Sequence, residues 1–306
     1  MLLFDTHADT LYRHYSRPGA EYDITPEKLR QGGVTVQTMA LFVGGSPELS
    51  HIADTFAGTL KEGEKLKAQG IKQLQDYRDC VDGGPAFIYS VEGCDLLDGS
   101  VSLLAAWRGM GVRMAALTWN YENCVGVPAC MNQDAPLKPF GKQAAKEMVR
   151  LGIAPDTSHL SERGFYDLLE LGVAPLASHS CCRALCDHCR NLTDDQLKAL
   201  FRAGGYVGVN FCPEFLSQDN QANLDTLCDH VIHIMELGGA GSVGFGSDFD
   251  GIDKKPDGLN GPQDFPALLN ALRRRGLSEQ EIAGVAGRNL LAYYDRIDPR
   301  INTKGL

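Results

Sequence analysis

Five stretches of this chain put a metal-binding or acidic side chain where an apolar run gives way to turn residues. They are His7-x-Asp9 in FDTHADT, Glu92 in YSVEG, His159 in DTSHLS, His179 in LASHS and Asp248 in GFGSDFDG. On a strand, residues two apart point to one side, so His7 and Asp9 together could chelate a borderline cation such as zinc. A carboxylate that closes an apolar run is costly to bury unless paired or metal-bound, and the two oxygens of Glu92 could bridge two cations. His159 and His179 end consecutive runs and could supply ligands for the second ion. Asp248 could take a proton from an activated water and pass it to a leaving amine. Asp250 has the same parity, so periodicity does not choose between the two.

Each residue also has a plainer reading. A lone HxD is commonly a buried histidine bonded to a nearby acid, and a lone Glu92 is an exposed residue just past a strand. A single strand-end histidine is a core residue with a satisfied ring, and either aspartate could cap the following loop. The coincidence of all five at run ends is what points to a metal site. Two rival clusters are weaker. Cys186-x-x-Cys189, near Cys181, Cys182 and His188, has a zinc-like spacing but lacks the second CxxC pair of a structural site. His230 and His233, three apart on an expected helix, read as surface histidines.

The elements that must carry these residues are eight nearly continuous apolar runs, at 2–9, 34–43, 85–93, 112–120, 153–161, 175–181, 206–213 and 243–251. Continuous rather than alternating apolar character is that of buried parallel strands. Helices are expected over 52–74, 141–151 and 161–171, the last two stopped by glycine. Thr193-x-x-Gln196 and Ser278-x-x-Glu281 are capping boxes, opening a helix that runs to Gly204-Gly205 and another over 278–294. Strand–helix alternation implies a parallel sheet, and eight repeats favour a closed (β/α)8 TIM barrel, with its site at the C-terminal strand ends. A doubly wound sheet is the alternative, but the segment from Asp5 to Asp9 is not a glycine-rich phosphate loop. No low-complexity linker interrupts the pattern, so one domain over 1–306 is expected.

The formal net charge of −10 over 306 residues argues against a nucleic-acid partner, which needs clustered cations. The first apolar run begins at Leu2, which leaves no room for a secretory signal, and no run reaches the roughly 18 residues of a membrane span. The ten cysteines are therefore expected as reduced thiols in a cytoplasm, with no membrane attachment.

Taken together, His7-x-Asp9, Glu92, Asp-Thr-Ser-His159, Ser-His179-Ser, Arg190-Asn191-Leu192 with Asp194, and Gly-Ser-Asp248-Phe-Asp-Gly resemble the renal (membrane) dipeptidase family of binuclear zinc peptidases. The match in order and spacing runs from the first strand to the last. The resemblance implies an amidohydrolase-type barrel, two zinc ions per chain and hydrolysis of a dipeptide by a hydroxide bridging the metals. By it, His7 and Asp9 would hold one zinc, His159 and His179 the other, and Glu92 would bridge them. Arg190 would meet the substrate carboxylate, Asp248 would be the catalytic acid–base, and a homodimer is expected. One departure stands out. Mammalian members carry a substrate-contacting histidine in the fourth-strand segment, where this chain has Trp119 in a Leu-Thr-Trp-Asn form familiar in bacterial relatives. The competing expectations are an amidohydrolase acting on a non-peptide amide or lactone, and an inactive metal-binding barrel. Only Trp119 leans towards the last.

Overall fold

The apolar runs become strands because both their faces are covered. The protein is described by a computed structural model over residues 1–43, 48–80 and 84–297. Its barrel strands are β1 (Phe4–Asp5), β2 (Val36–Phe42), β3 (Ala86–Glu92), β4 (Val112–Ala116), β5 (Ala154–Asp156), β6 (Leu176–Ala177), β7 (Tyr206–Val209) and β8 (Val243–Phe245). Every residue of β2 and β3 is buried, as a strand between a filled interior and a helical layer requires. All pairings are parallel. β1 pairs with both β2 (Phe4↔Val36) and β8 (Asp5↔Phe245), and β2 also pairs with β3 (Val36↔Ala86), so the sheet closes as the expected eight-stranded barrel. Residues 298–306 of the expected 1–306 domain lie outside the described residues.

The N-terminal end of the barrel is filled by side chains from seven strands, among them Phe4, Val36, Ile88, Met114 and Tyr206, packed on Tyr77, Tyr293 and Tyr294. β8 contributes Gly244 to this end, where a Cβ would collide with the Tyr206 hydroxyl. A second, larger cluster packs the outer faces of the strands against the helices. Both capping boxes form: Thr193 accepts from Gln196 N (3.1 Å) while Gln196 Oε1 accepts from Thr193 N (2.9 Å), opening the helix Asp194–Arg202. Ser278 does the same at Glu279, and the expected helix over 278–294 forms, running through one wider turn at Gly284–Arg288 and on to Ile297. The helix expected over 52–74 runs instead over Leu49–Ala68. The chain turns at Gly70 (φ 86°), and Lys72–Gln73 pairs with the start of β3.

The strands end earlier than the apolar runs. Glu92 closes β3, but His7, Asp9, His159, His179 and Asp248 all lie beyond the last strand residue, on loops. Side chains compete with the ladder there. Asp5 Oδ1 accepts from His7 N (3.3 Å) and Ser247 N (2.8 Å), and Asp156 Oδ1 accepts from Ser158 N and Ser178 N (2.9 Å each). These two buried carboxylates take up backbone N–H groups at the strand ends. The expectation that His7 and Asp9 share a strand face is therefore corrected: Asp9 is the N-cap of the helix Thr10–Ser16.

Candidate metal centre

Each site histidine is oriented by the partner of its outer ring nitrogen. Ser178 Oγ donates its one hydrogen to Asp156 Oδ2 (2.5 Å), so it must accept from His179 Nδ1 at 2.7 Å, leaving His179 Nε2 with its lone pair. His159 Nδ1 donates to Asn120 Oδ1 (2.9 Å) and likewise presents a lone pair on Nε2. These two acceptor nitrogens face each other at 3.0 Å. Glu92 Oε1 lies 3.1 Å from His159 Nε2 and 3.7 Å from His179 Nε2, while its other oxygen, Oε2, lies 3.6 Å from His7 Nε2. One carboxylate thus turns an oxygen to each of two nitrogen sets.

His7 Nε2 also faces Asp9 Oδ2 (3.9 Å) and Asp248 Oδ1 (3.8 Å), and its ring stacks on His179 with centroids 3.8 Å apart. His7 Nε2, Asp9 Oδ1 and Glu92 Oε2 are buried without a hydrogen-bond partner. Orphaned acceptors and donors in one buried pocket are costly unless a ligand satisfies them. A set of imidazole nitrogens and carboxylate oxygens on two sides of a bridging glutamate fits a pair of divalent cations. The electrostatics agree. Burial pushes Glu92 well above the usual carboxylate range, Asp9 and Asp248 push it further, and His7 and Arg190 only partly offset this. Burial acts downward on His7, but Glu92, Asp9 and Asp248 outweigh it and raise His7 to about 10. His159 and His179 are held well below 6.5, by burial first and then by the cationic His7 and Arg190, so both stay neutral.

Asp248 and Asp250 part company here. Asp250 is saturated by Asp23 N (2.7 Å), Ile24 N (3.2 Å) and Thr10 Oγ1 (2.7 Å), which ties the β8 loop to the start of the chain. Asp248, held in a left-handed backbone conformation (φ 64°), accepts on Oδ2 from Asn210 Nδ2 (3.0 Å) and turns Oδ1 to His7. Burial raises it to about 6, with Asp9 adding to the rise against His7, Asn210 and Arg190. Gly251 is required beside it, because a Cβ there would collide with Asp248 Oδ1 and Asp9 Oδ2.

Arg190 is buried against Phe215, its guanidinium carbon 5.5 Å from the ring centroid, with Nη2 donating to His179 O at 3.4 Å. Its Nε has no hydrogen-bond partner. It pairs with neither Asp187 nor Asp194 nearby in sequence; Asp194 meets His233 at 2.8 Å. Asp9, Glu92, Asn120, His159, Arg190 and Asp248 line one cavity of about 830 Å³, together with Tyr12, Phe42, Trp119, Met131 and Glu214. Trp119 packs edge-on against Phe42, with centroids 4.9 Å apart.

Two expectations about cysteine and histidine are corrected. The thiols are not all reduced: Cys130 and Cys189 are joined by a disulfide, while the other eight cysteines are free. Cys186-x-x-Cys189 is not a zinc pair, since Cys186 Sγ donates to Glu214 O (3.3 Å) and Cys189 is bonded elsewhere. His230 is not on the surface. It is fully buried, accepting from Cys182 N (3.1 Å) on Nδ1 and reaching Leu216 O (3.0 Å) through Nε2. Sequence reasoning missed Asn120, Asn210, Ser178 and Asp156, although each ends or borders an apolar run as the candidate ligands do.

The model of the membrane dipeptidase family (peptidase family M19) matches residues 1–299. This chain belongs to that family. An uncharacterized dipeptidase of Schizosaccharomyces pombe is 33% identical over 89% of this chain and 71% of its own length. Among solved structures, the family metallopeptidase called dipeptidase AC superposes with a TM-score of 0.90 at 25% identity, over 97% of this dipeptidase and 98% of its own chain. A metallopeptidase from Rhodobacter sphaeroides, liganded with a phosphinate mimic of the dipeptide L-Ala-D-Ala, superposes at 0.88 with 24% identity, over 97% and 99%. This chain is a metal-dependent dipeptidase on a TIM barrel. No helix among its described residues is long and apolar enough to cross a membrane.

Proposed function

We propose that the dipeptidase works with two zinc ions, His7 and Asp9 on one, His159 and His179 on the other, and Glu92 between them. The observation that carries this reading is the split of Glu92, Oε2 towards His7 and Oε1 towards the two later histidines. When bound, the ions supply Lewis acidity towards the scissile carbonyl and lower the pKa of the attacking water. Asp248 takes the proton of that water on Oδ1 and returns it to the departing amine. Asn210 keeps the other oxygen fixed, so Oδ1 is the one free to carry the proton. Arg190, desolvated under Phe215, grips the free carboxylate of the substrate through its planar fork. Trp119 walls the cavity with apolar surface where a polarising histidine is the family's other choice, so the reaction leans on the remaining groups.

We extend this reading to one domain over 1–306 acting as a homodimer, the family's expected assembly, which sedimentation at micromolar concentration checks. A cytoplasmic address is supported by the eight free cysteines, several of them buried, and opposed by the Cys130–Cys189 link. The functional test is a dipeptide panel assayed with zinc-loaded protein. Broad hydrolysis is expected. Silence on every dipeptide, with turnover of a cyclic amide or lactone, would overturn the peptidase reading.

A further inference from the structure

The cavity mouth carries cations that the chemistry above does not use. Arg13, Arg17 and Lys254 line it. Arg13 and Arg17 are four residues apart at the end of the helix Thr10–Ser16, and Lys254 follows Asp253 in the loop after β8. Asp253 Oδ1 lies 3.9 Å from Arg13 Nη1, which places that loop against the helix. Arg13 is the informative member. Its side chain is only 25% exposed, its Nε is buried with no hydrogen-bond partner, and Asp253, at the limit of ion-pair distance, is itself 88% exposed. A buried Nε–H with no acceptor is costly until a ligand supplies one. Arg17 and Lys254 are exposed, and neither side chain has an ion pair or hydrogen bond among the described residues. The acids Glu214 and Asp253 line the same cavity, and among the described residues only Asp253 comes within ion-pair distance of any of the three cations. Tyr12, in contact with Phe42 at 4.6 Å between centroids, offers apolar surface beside them for the methylenes of a side chain.

We propose that Arg13, supported by Arg17 and Lys254, forms a subsite for a carboxylate on the substrate's side chain, so that the enzyme favours dipeptides containing Asp or Glu. The inference rests on the dipeptidase reading, with Arg190 taking the main-chain carboxylate deep in the cavity and Arg13 the side-chain carboxylate at its mouth. Arg13 lies on the helix after β1 and Arg190 on the loop after β6, and both line the one cavity that a doubly anionic substrate would enter.

The experiment measures kcat/KM for Ala-Glu against Ala-Gln, and for Glu-Ala against Gln-Ala, with zinc-loaded enzyme. Acid and amide side chains match in size, so their ratio isolates the charge. The wild type should favour the acid about tenfold in at least one pair, the scale of a charge-assisted contact. Arg13→Met should bring that ratio close to one, and Arg17→Met combined with Lys254→Met should reduce it. The double variant alters exposed side chains only, so it reports on the subsite even where Arg13→Met compromises folding. Raising the ionic strength should shrink the wild-type ratio, because the mouth is open to salt. Equal kcat/KM for acid and amide in both pairs, or a preference unchanged in all variants, would overturn the subsite while leaving the dipeptidase intact. Failure to cleave any dipeptide would remove the reading on which it rests, and the subsite with it.

Discussion

A histidine's free nitrogen is decided by what its other nitrogen touches, and for His159 and His179 that decision is made by Asn120 and Ser178. Both rings are thereby set as metal-facing bases, and neither needs to lose a proton first. The same logic separates the two aspartates of the β8 loop. Asp248→Asn should keep the fold and most of the metal but lower kcat by roughly a hundredfold or more, the scale of general acid–base catalysis. Asp250→Asn should instead lower stability by about 1–3 kcal/mol, since it disturbs a carboxylate that accepts three hydrogen bonds. Parallel kcat and denaturation measurements check the pair, and a reversal of the two outcomes would exchange their roles. Arg190 is tested by comparing a dipeptide with its C-terminal amide. The wild type should prefer the free acid by about 1.5–3 kcal/mol, Arg190→Met should lose most of that preference, and Arg190→Lys should recover only part of it. Equal discrimination in all three proteins would mean that another group reads the carboxylate.

At the scale of elements, the strands are short and the loop that follows each is fixed by side chains. Ser178 is the clearest case, tied to Asp156 on one side and to His179 on the other. Ser178→Ala should leave the barrel folded but weaken metal affinity by about 10–100-fold, because the His179 tautomer is no longer enforced. Titration of metal-free protein with zinc measures this, and unchanged affinity would show that Ser178 serves folding alone. These loops also mark where sequence reasoning stops. The eight runs and the polar residues at their ends, the five candidate ligands among them, are legible because a doubly buried parallel strand reads as continuous hydrophobicity and its end reads as a sudden polar residue. The strand lengths are not legible. Asp5 and Asp156 intercept backbone N–H groups that the apolar pattern assigns to the ladder, and a one-dimensional reading has no access to that competition. Periodicity could not choose between Asp248 and Asp250 for a related reason: a left-handed residue at each position breaks the alternation of a strand. Asn120 and Asn210 escaped notice because an amide at a run end resembles an ordinary turn residue. The burial of His230 escaped because the loops that cover it come from distant sequence.

On the scale of the whole molecule, the barrel separates stability from chemistry: its closed N-terminal end holds the fold and its open end holds the site. Arg113, on β4, is 1% exposed and meets Asp76 at 3.2 Å, while Arg78 also bonds Asp76 (2.8 and 2.7 Å). Burial acts upward on Asp76, but Arg78 and Arg113 outweigh it and hold the carboxyl below its ordinary value of 3.8. A depressed carboxylate contributes stability that is full above its unfolded value and is lost as pH falls through its folded one. Stability should therefore fall in that acid range, and Asp76→Asn should flatten this part of the profile. The same change should cost about 3 kcal/mol at neutral pH by leaving Arg113 buried and unpaired. Urea denaturation across pH checks both statements, and an unaltered acid limb would assign the loss to other groups. The central claim concerns the open end, that one bridging glutamate and four flanking ligands hold two metal ions. Elemental analysis of the whole chain, purified without chelator and reconstituted with zinc, tests it most directly. Close to two zinc equivalents are expected in the wild type, falling to one or fewer when His159 and His179 are both changed to Ala. A wild type that holds no metal after reconstitution, or a double variant that still holds two, would contradict the account.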